Sequence, residues 1–353
     1  MRIVVAMSGG VDSSVAAALL AEQGHEVVGL SMQLYDQRGD GPAFGSCCSL
    51  DDLHDARRVA AALGAPHYIV NFEREFRASV VDNFVGEYAA GRTPLPCARC
   101  NSDLKFSSLL MRARGLGAET VATGHYARLS RDADGRVVLR RGLDEGKDQS
   151  YFLFELTQDQ LARAVFPVGA LTKADVRRHA QRLGLTVADK PDSQELCFVP
   201  DGDYAGFVAR ARPDVETGGA VTDVHGRQLG SHDGIHRYTV GQRKGLGVSG
   251  PTPLYVLRID PASRDVVVGP RAALERARLT AAAVSWHRRT APDAWVAASV
   301  QIRHRHQPAP ARVRALDEAR AEVVFDEPQS AIAPGQAAVF YEGDAVLGGG
   351  WIE

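Results

Sequence analysis

The chain has 353 residues, enough for two or three domains that each bury a core of their own. Its 45% hydrophobic and 24% charged residues exclude a disordered or fibrous protein. The net charge of -2 excludes a globally basic nucleic-acid binder, though a local basic face is compatible with it.

The start, MRIVVAMSGG, runs straight into a strand-like segment and then glycines. It lacks signal-peptide anatomy, and no apolar stretch is long enough to span a bilayer, so the expected compartment is the cytoplasm without membrane attachment. Ile3 to Ala6 reads as a buried strand, Ser13 to Gln23 as a helix stopped by Gly24, and Glu26 to Met32 as a second strand. Tyr35 to Leu50 reads as a loop. It holds the adjacent Cys47 and Cys48, which bond poorly to each other on geometric grounds and receive no role. A helix over Asp51 to Leu63, a strand over His67 to Val70, helices over Phe72 to Ala90 and Ser102 to Leu116, and a strand over Glu119 to Thr123 follow. This alternation implies an α/β fold with a doubly wound, mostly parallel sheet. Ligands of such sheets bind beyond the carboxyl ends of the strands, which places Met7–Asp12, Met32 and Gly124–His125 along one edge. Further on, Leu129 to Arg141 reads as a hairpin around Asp134-Gly135. Thr172 to Leu183 reads as a helix with Thr172 and Asp175 as its capping pair and Gly184 as its stop. After about residue 205, short β-type runs alternate with turn signals at His225-Gly226, Pro261-Ala262 and Glu342-Gly343. That half reads as all-β, in two units divided near Pro270. The expected domains are 1–204, a small central β-rich domain over 205–270, and a C-terminal β-barrel over 271–353.

SGGVDSS, from Ser8 to Ser14, lies between the first strand and the first helix. Gly9 and Gly10 let a polyanion approach backbone N–H groups, the helix N-terminus adds partial positive charge, and Asp12 or Ser13 is placed to cap it. Ser8, Ser13 and Ser14 supply hydroxyls. The chain lacks both G-x-x-x-x-G-K-[ST] and, at this position, G-x-G-x-x-G, which argues against a Walker loop and a dinucleotide fold. SGGVDSS resembles the pyrophosphate loop of the ATP pyrophosphatases, of the adenine-nucleotide α-hydrolase type. The resemblance implies that ATP, with Mg2+, is cleaved between its α and β phosphates and that a substrate oxygen is adenylated, which turns a poor leaving group into a good one.

Cys97 and Cys100 form a C-x-x-C in TPLPCARCN, and Cys197 lies far along the chain in DSQELCFVP. Three readings of these thiols stand side by side. A structural zinc site wants four ligands, and a second C-x-x-C is absent. Free cysteines are often small buried hydrophobes. A thiolate can also carry a persulfide that a second thiol releases by exchange, and beside an ATP-activated carbonyl this amounts to thiolation.

TPLPCARCNSDLKF, TGHYARL, GKDQSYFLFEL, DSQELCFV, YTVGQRKGLG and PGQAAVFY occur in order from end to end. With the phosphate loop, they closely resemble the bacterial tRNA-specific 2-thiouridylases. The resemblance implies conversion of the wobble uridine, position 34, of Lys, Glu and Gln tRNAs to 2-thiouridine. It also implies an ATP-pyrophosphatase domain, a small central domain and a C-terminal barrel.

Carried over by that resemblance, the ATP contacts fall on Ala6, Met7, Ser8, Gly9, Gly10, Val11, Asp12, Ser13, Met32 and Gly124; the family usually has glycine where Ala6 stands. Cys100 matches the first catalytic cysteine and Cys197 the persulfide carrier, loaded by an upstream cysteine desulfurase or sulfur-relay protein, and turnover leaves a Cys100–Cys197 disulfide. At least one of these thiols needs a lowered pKa, and Lys105 stands near in sequence as a possible electrostatic aid. Leu95, Pro96 and Cys97 match the segment that meets the target base. Cys97 stands where many relatives carry aspartate, so a general-base role does not transfer. His125, Lys147, Asp148 and Gln149, with Arg303, His304 and Gln336 in the barrel, match tRNA contacts. Taken without the family, His125 reads as a structural histidine and Lys147–Gln149 as a polar loop. Cys97, Cys100 and Cys197 are also chemically reasonable ligands of an iron–sulfur cluster that holds sulfide.

Independent support for RNA comes from Ala281 to Ala315. Arg288, Arg289, Arg303, Arg305, Arg312 and Arg314 face one acid, Asp293, with Trp286, His287, His304 and His306 interspersed. Arg243 and Lys244 in GQRKGLG suit an RNA-facing turn. The rival readings are another ATP pyrophosphatase that modifies or amidates its substrate without thiols, and an RNA-binding protein with an inactive nucleotide domain.

Overall fold

The structure, a computed structural model, describes residues 1–35, 50–191, 196–199, 202–213, 218–287 and 291–353. Cys47, Cys48, residues 192–195 of DSQELC, Arg288 and Arg289 lie outside the described residues. Two compact units form. The first comprises Met1–Val80, Cys97–Gly202 and Asp344–Val346, and the second Val81–Pro96, Asp203–Gly343 and Leu347–Glu353.

The first unit is built on β1 (Arg2–Ala6), α1 (Val11–Glu22), β2 (Glu26–Gln33), α2 (Leu50–Ala62) and β3 (His67–Asn71). Ile3, Val4 and Val5 are each at most 1% exposed, so β1 is covered on both faces, as a continuous apolar run requires. It pairs in parallel with β2 on one side and β4 (Val121–Ala122) on the other. The sheet order is β3–β2–β1–β4–β7, with β7 (Ala164–Val165) at its edge. α1 buries residues around most of its circumference, from Val11 through Leu20, because small alanines let strand and neighbouring helices approach from several sides. The fourth strand is thus two residues long rather than the five expected.

The two long helices expected over 72–90 and 102–116 are interrupted. α3 (Glu73–Phe76) widens into a π-helical turn at Arg77–Val81 before α4 (Asp82–Ala89), and α5 (Pro96–Arg99) widens into a π-helical segment, Cys100–Ser108, before α6 (Leu109–Gly115). β5 (Ala127–Arg131) and β6 (Val137–Arg141) form the expected hairpin; the Asp132 carboxylate accepts the N–H groups of Asp134 and Arg136, and Gly135 has φ 78°. α7 (Gln158–Ala162) was not foreseen. α8 (Lys173–Arg182) has the expected capping box of Thr172 and Asp175, and Gly184 follows at φ 60°.

The second unit opens, after its Val81–Pro96 piece, with α9 (Tyr204–Ala211), so the later half is not purely β. Asp203 caps this helix by accepting the N–H of Gly206 at 2.8 Å. β8 (Gly219–Thr222), β9 (Gln228–His232), β10 (Tyr255–Asp260) and β11 (Asp265–Gly269) form a small sheet in the order β10–β11–β8–β9, over a core that includes Val221, Ile235, Val256, Val266 and Val268. Next come β12 (Glu275–Trp286), β13 (Val296–Gln301), β14 (Ala309–Ala315), β15 (Ala321–Ser330), β16 (Ala337–Glu342) and β17 (Ala345–Ile352). Their order is β12–β15–β14–β13–β16–β17, and pairing of β12 with β17 closes the barrel. The long β12 serves both neighbours by bending at Ala283, where φ is 48° and the register shifts. β14 shows the alternation: Ala309, Ala311 and Val313 point inward, and Pro310, Arg312 and Arg314 outward. The architecture is the expected one, a parallel α/β sheet, a small β-rich middle and a C-terminal barrel. Among the described residues no helix is long and apolar enough to cross a membrane.

Candidate active site

The phosphate loop takes its shape from close packing on one side. Gly9 has φ +74°, and a Cβ there would sit 2.1 Å from the Asp52 carbonyl oxygen, so only glycine fits. Gly10, in extended conformation at φ -88° and ψ 163°, is the N-cap of α1, and no side chain caps the helix. This corrects the expectation that Asp12 or Ser13 does so. The Ser13 hydroxyl donates back to the Gly10 carbonyl at 3.2 Å and accepts the Ser8 N–H at 3.2 Å. Asp12 accepts the Lys173 ammonium at 2.7 and 2.9 Å and the Tyr126 hydroxyl at 2.7 Å. An uncapped helix start with glycine before it suits an anion, because the first-turn N–H groups have no intrahelical acceptor.

Three neighbours steady this loop. Gly124 lies so close that a Cβ would stand 2.6 Å from the Ser13 nitrogen. Ser31 donates to the Met7 carbonyl at 2.7 Å; Met7, just after β1, and Met32, in β2, are both buried. Lys190 reaches the Gly9 carbonyl at 3.1 Å, Asp52 at 2.5 Å and Asp55 at 2.6 Å. Burial opposes its charge, but the hydrogen bonds and charges of Asp52 and Asp55 outweigh that and hold the ammonium above the ordinary lysine range. Lys173, Lys190 and Tyr126 were not singled out in the sequence. One signal existed for Lys173: a lysine in the first turn of a helix opposes the macrodipole and calls for a nearby acid.

Cys97 is exposed, while Cys100 and Cys197 are half-buried, and none of the three is in a disulfide. Cys100 begins the π-helical segment. Around it, Arg99 pairs with Glu155 at 3.0 Å, Gln160 donates to the Ser102 carbonyl at 3.0 Å, and Asn101 donates to the Phe152 carbonyl at 3.0 Å. These bonds support a backbone whose widened turn departs from α-helical geometry. Cys197 is anchored by its neighbours: Phe198 meets Phe76 edge-on at 5.6 Å, and Val199 is buried. α3, which carries Phe76, also packs on the Cys100–Ser108 segment, so both thiol-bearing stretches share one neighbour. Among the described residues no three His, Cys, Asp or Glu side chains are gathered to hold a metal ion.

Leu95 and Pro96 are buried, leaving Cys97 as the exposed member of the segment matched to the target base. Gln336 spends its amide on the backbone leading into that segment, donating to the carbonyls of Thr93 at 3.1 Å and Pro94 at 3.2 Å. Asp148 is likewise occupied internally by Gly142, Ser150 and Arg141, and Gln149 accepts the Tyr126 N–H. Lys147 is half-buried. His125 is buried beside Phe106 and Phe166, with Nδ1 2.7 Å from the Thr123 hydroxyl. Burial, reinforced by the Lys105 charge, pushes its pKa well below the ordinary range, so the ring is a neutral core group. Arg303 and His304 are exposed, as are Arg243 and Lys244. In the barrel, Trp286 turns inward against Phe340 and His287 is buried, so neither is the aromatic surface the sequence suggested. Trp295 is the exposed tryptophan, 37% exposed, with the guanidinium carbons of Arg314 and Arg312 at 4.6 and 5.9 Å from its ring centre.

Comparison with known proteins follows the same outline. A family model described as tRNA methyl transferase HUP domain matches residues 1–201, one described as tRNA methyl transferase PRC-barrel domain matches 206–270, and one described as aminomethyltransferase beta-barrel domain matches 276–352. The chain is 57% identical to the tRNA-specific 2-thiouridylase MnmA of Geotalea uraniireducens, over 100% of this chain and 95% of that protein. It is 55% identical to the protein of the same name from Geobacter metallireducens, over 100% of this chain and 96% of that one. A solved 4-thiouridine synthetase–RNA complex with bound ATP is similar at 16% identity and a TM-score of 0.35, over 60% of this chain and 50% of that one.

Gly9→Ala is expected to lower stability by about 1–3 kcal/mol, through the strained φ and the clash with Asp52, as read by urea unfolding. His125 generates a pH dependence of definite sign. Its folded pKa lies below 6.5, so as pH falls the unfolded chain takes up the proton first. The stability this group contributes is complete above that value and is lost as pH falls from it through the folded pKa. His125→Gln should flatten the stability profile below about pH 6.5 by up to about one proton of slope, measured as the difference from wild type in unfolding at a series of pH values.

Proposed function

The chain belongs to the tRNA-specific 2-thiouridylase family, and we propose that this tRNA-uridine sulfurtransferase acts on the wobble uridine of Lys, Glu and Gln tRNAs with ATP as co-substrate. One observation carries the reading: an uncapped phosphate loop and both half-buried cysteines belong to a single compact unit. ATP fits the loop. Gly10 faces open space, where a Cβ would meet only the Ser8 hydroxyl at 3.6 Å, and the start of α1 supplies N–H donors. Mg2+ would arrive with the triphosphate, since the Asp12 oxygens are engaged by Lys173 and Tyr126.

The chemistry runs in two stages. Uridine O2 attacks the α-phosphorus of ATP; the O2–P bond forms and pyrophosphate leaves. Cys197, loaded as a persulfide by an upstream desulfurase or sulfur-relay protein, then delivers its outer sulfur to C2, and AMP departs with the former O2. Thiolate attack by Cys100 on Cys197 Sγ frees the thiocarbonyl sulfur and forms the Cys100–Cys197 disulfide, which an external dithiol reduces. In the alternative order, Cys100 first releases hydrosulfide from the persulfide, and the hydrosulfide attacks C2. The methyl transfer named in the family descriptions has no use for a phosphate loop with two thiols in the same unit.

For tRNA, the outward barrel residues Trp295, Arg312 and Arg314, with Arg303, His304, Arg243 and Lys244, support backbone and base contact. Gln336 serves this reading by bracing the backbone that leads into the target-base segment, and Asp148 and Gln149 by bracing the loop that holds Lys147.

With purified enzyme, tRNA, ATP and a persulfide donor, 2-thiouridine is expected by nucleoside mass spectrometry. Cys100→Ser and Cys197→Ser should each reduce it to background while leaving binding of an ATP analogue intact. A fully active Cys100→Ser variant would point instead to a thiol-independent ATP pyrophosphatase.

A further inference from the structure

We propose that Lys190 is a positioning residue for ATP, which pins the Gly9 carbonyl so that the Gly10 N–H is turned toward the phosphates. The inference rests on the reading of the loop as an ATP site. Lys190 lies 181 residues from Gly9 in sequence and brings its ammonium within 3.1 Å of the Gly9 carbonyl, 2.5 Å of Asp52 and 2.6 Å of Asp55. An ammonium has three hydrogens, and three acceptors surround it. In a planar trans peptide the carbonyl of one residue and the N–H of the next point in opposite directions, and no peptide bond among the described residues is cis. A carbonyl held toward Lys190 therefore aims the following N–H away from it.

The two sides of the loop differ in the way this requires. On the Lys190 side, Gly9 touches the Asp52 main chain closely enough to exclude a Cβ. On the Gly10 side there is room, and the uncapped start of α1. Lys190, Asp52 and Gly9 thus form one closed knot behind the site. The lysine is matched by two carboxylates, so the knot has no surplus positive charge to draw in a polyanion. Its effect on ATP is geometric: it preorders a donor that would otherwise rotate with the flexible glycine pair.

The test is titration of the full chain with a non-hydrolysable ATP analogue and Mg2+, together with steady-state thiolation. Lys190→Met is expected to weaken analogue binding about tenfold and to raise KM for ATP, with KM for tRNA unchanged; Lys190→Arg should recover part of the loss. The double variant Asp52→Ala/Asp55→Ala reads the same knot without touching the lysine and should also weaken binding. If Lys190 were instead a phosphate ligand restrained by these acids, removing them would tighten binding, and that result overturns the proposal. Unchanged affinity in Lys190→Met overturns it as well. A wild-type chain that does not bind the analogue overturns the ATP reading itself, which separates the two failures.

Discussion

The contact of Gly9 with the main chain of Asp52 is the constraint on which the first unit's chemistry depends. It is possible only because Gly9 lacks a side chain and adopts φ +74°. The contact sets the distance between the end of β1 and the start of α2, and it forces the chain to turn directly into α1. The turn consumes no side chain as a cap, so the helix start stays open to an anion. Every neighbour of the loop then acts to keep it so. Ser13 folds back on Gly10, Asp12 is drawn off by Lys173 and Tyr126, and Gly124 lets the chain leaving β4 come into contact with the start of α1.

The thiols are held by a different device. Cys100 sits at the beginning of a widened helix rather than on a loop, where hydrogen bonds from Asn101 and Gln160 and an Arg99–Glu155 ion pair fix the backbone. Cys197 is positioned by the aromatic packing of the next residue on Phe76. One thiol therefore stands on a hydrogen-bonded frame and the other on an apolar anchor.

In the barrel, charge and packing divide by strand parity. Alternation along β14 sends Arg312 and Arg314 outward, while Ala311 and Val313 fill the interior. Trp295 precedes Val296, which pairs with Val313, so its ring falls across from Arg314 and diagonal to Arg312. Glu322 takes hydrogen bonds from Arg314 and Arg278, which moderates the positive face and orders it at the same time.

The sequence by itself determined the α/β half, the β half, the loop SGGVDSS, the Thr172–Asp175 cap and the three thiols worth attention, because each is a local pattern whose physics acts within a few residues. It did not reveal the π-helical interruptions at Arg77–Val81 and Cys100–Ser108, since their residues have ordinary helix propensity, and the second is braced by Phe152 and Gln160, far along the chain. It exchanged Trp286 for Trp295, because one step of strand register decides which tryptophan faces solvent. It passed over Lys173 and Lys190, whose partners lie 161 and 181 residues away. Only the tertiary structure decided those, because an ion pair or a buried carbonyl contact is a property of two segments brought together, and neither segment carries its partner's position.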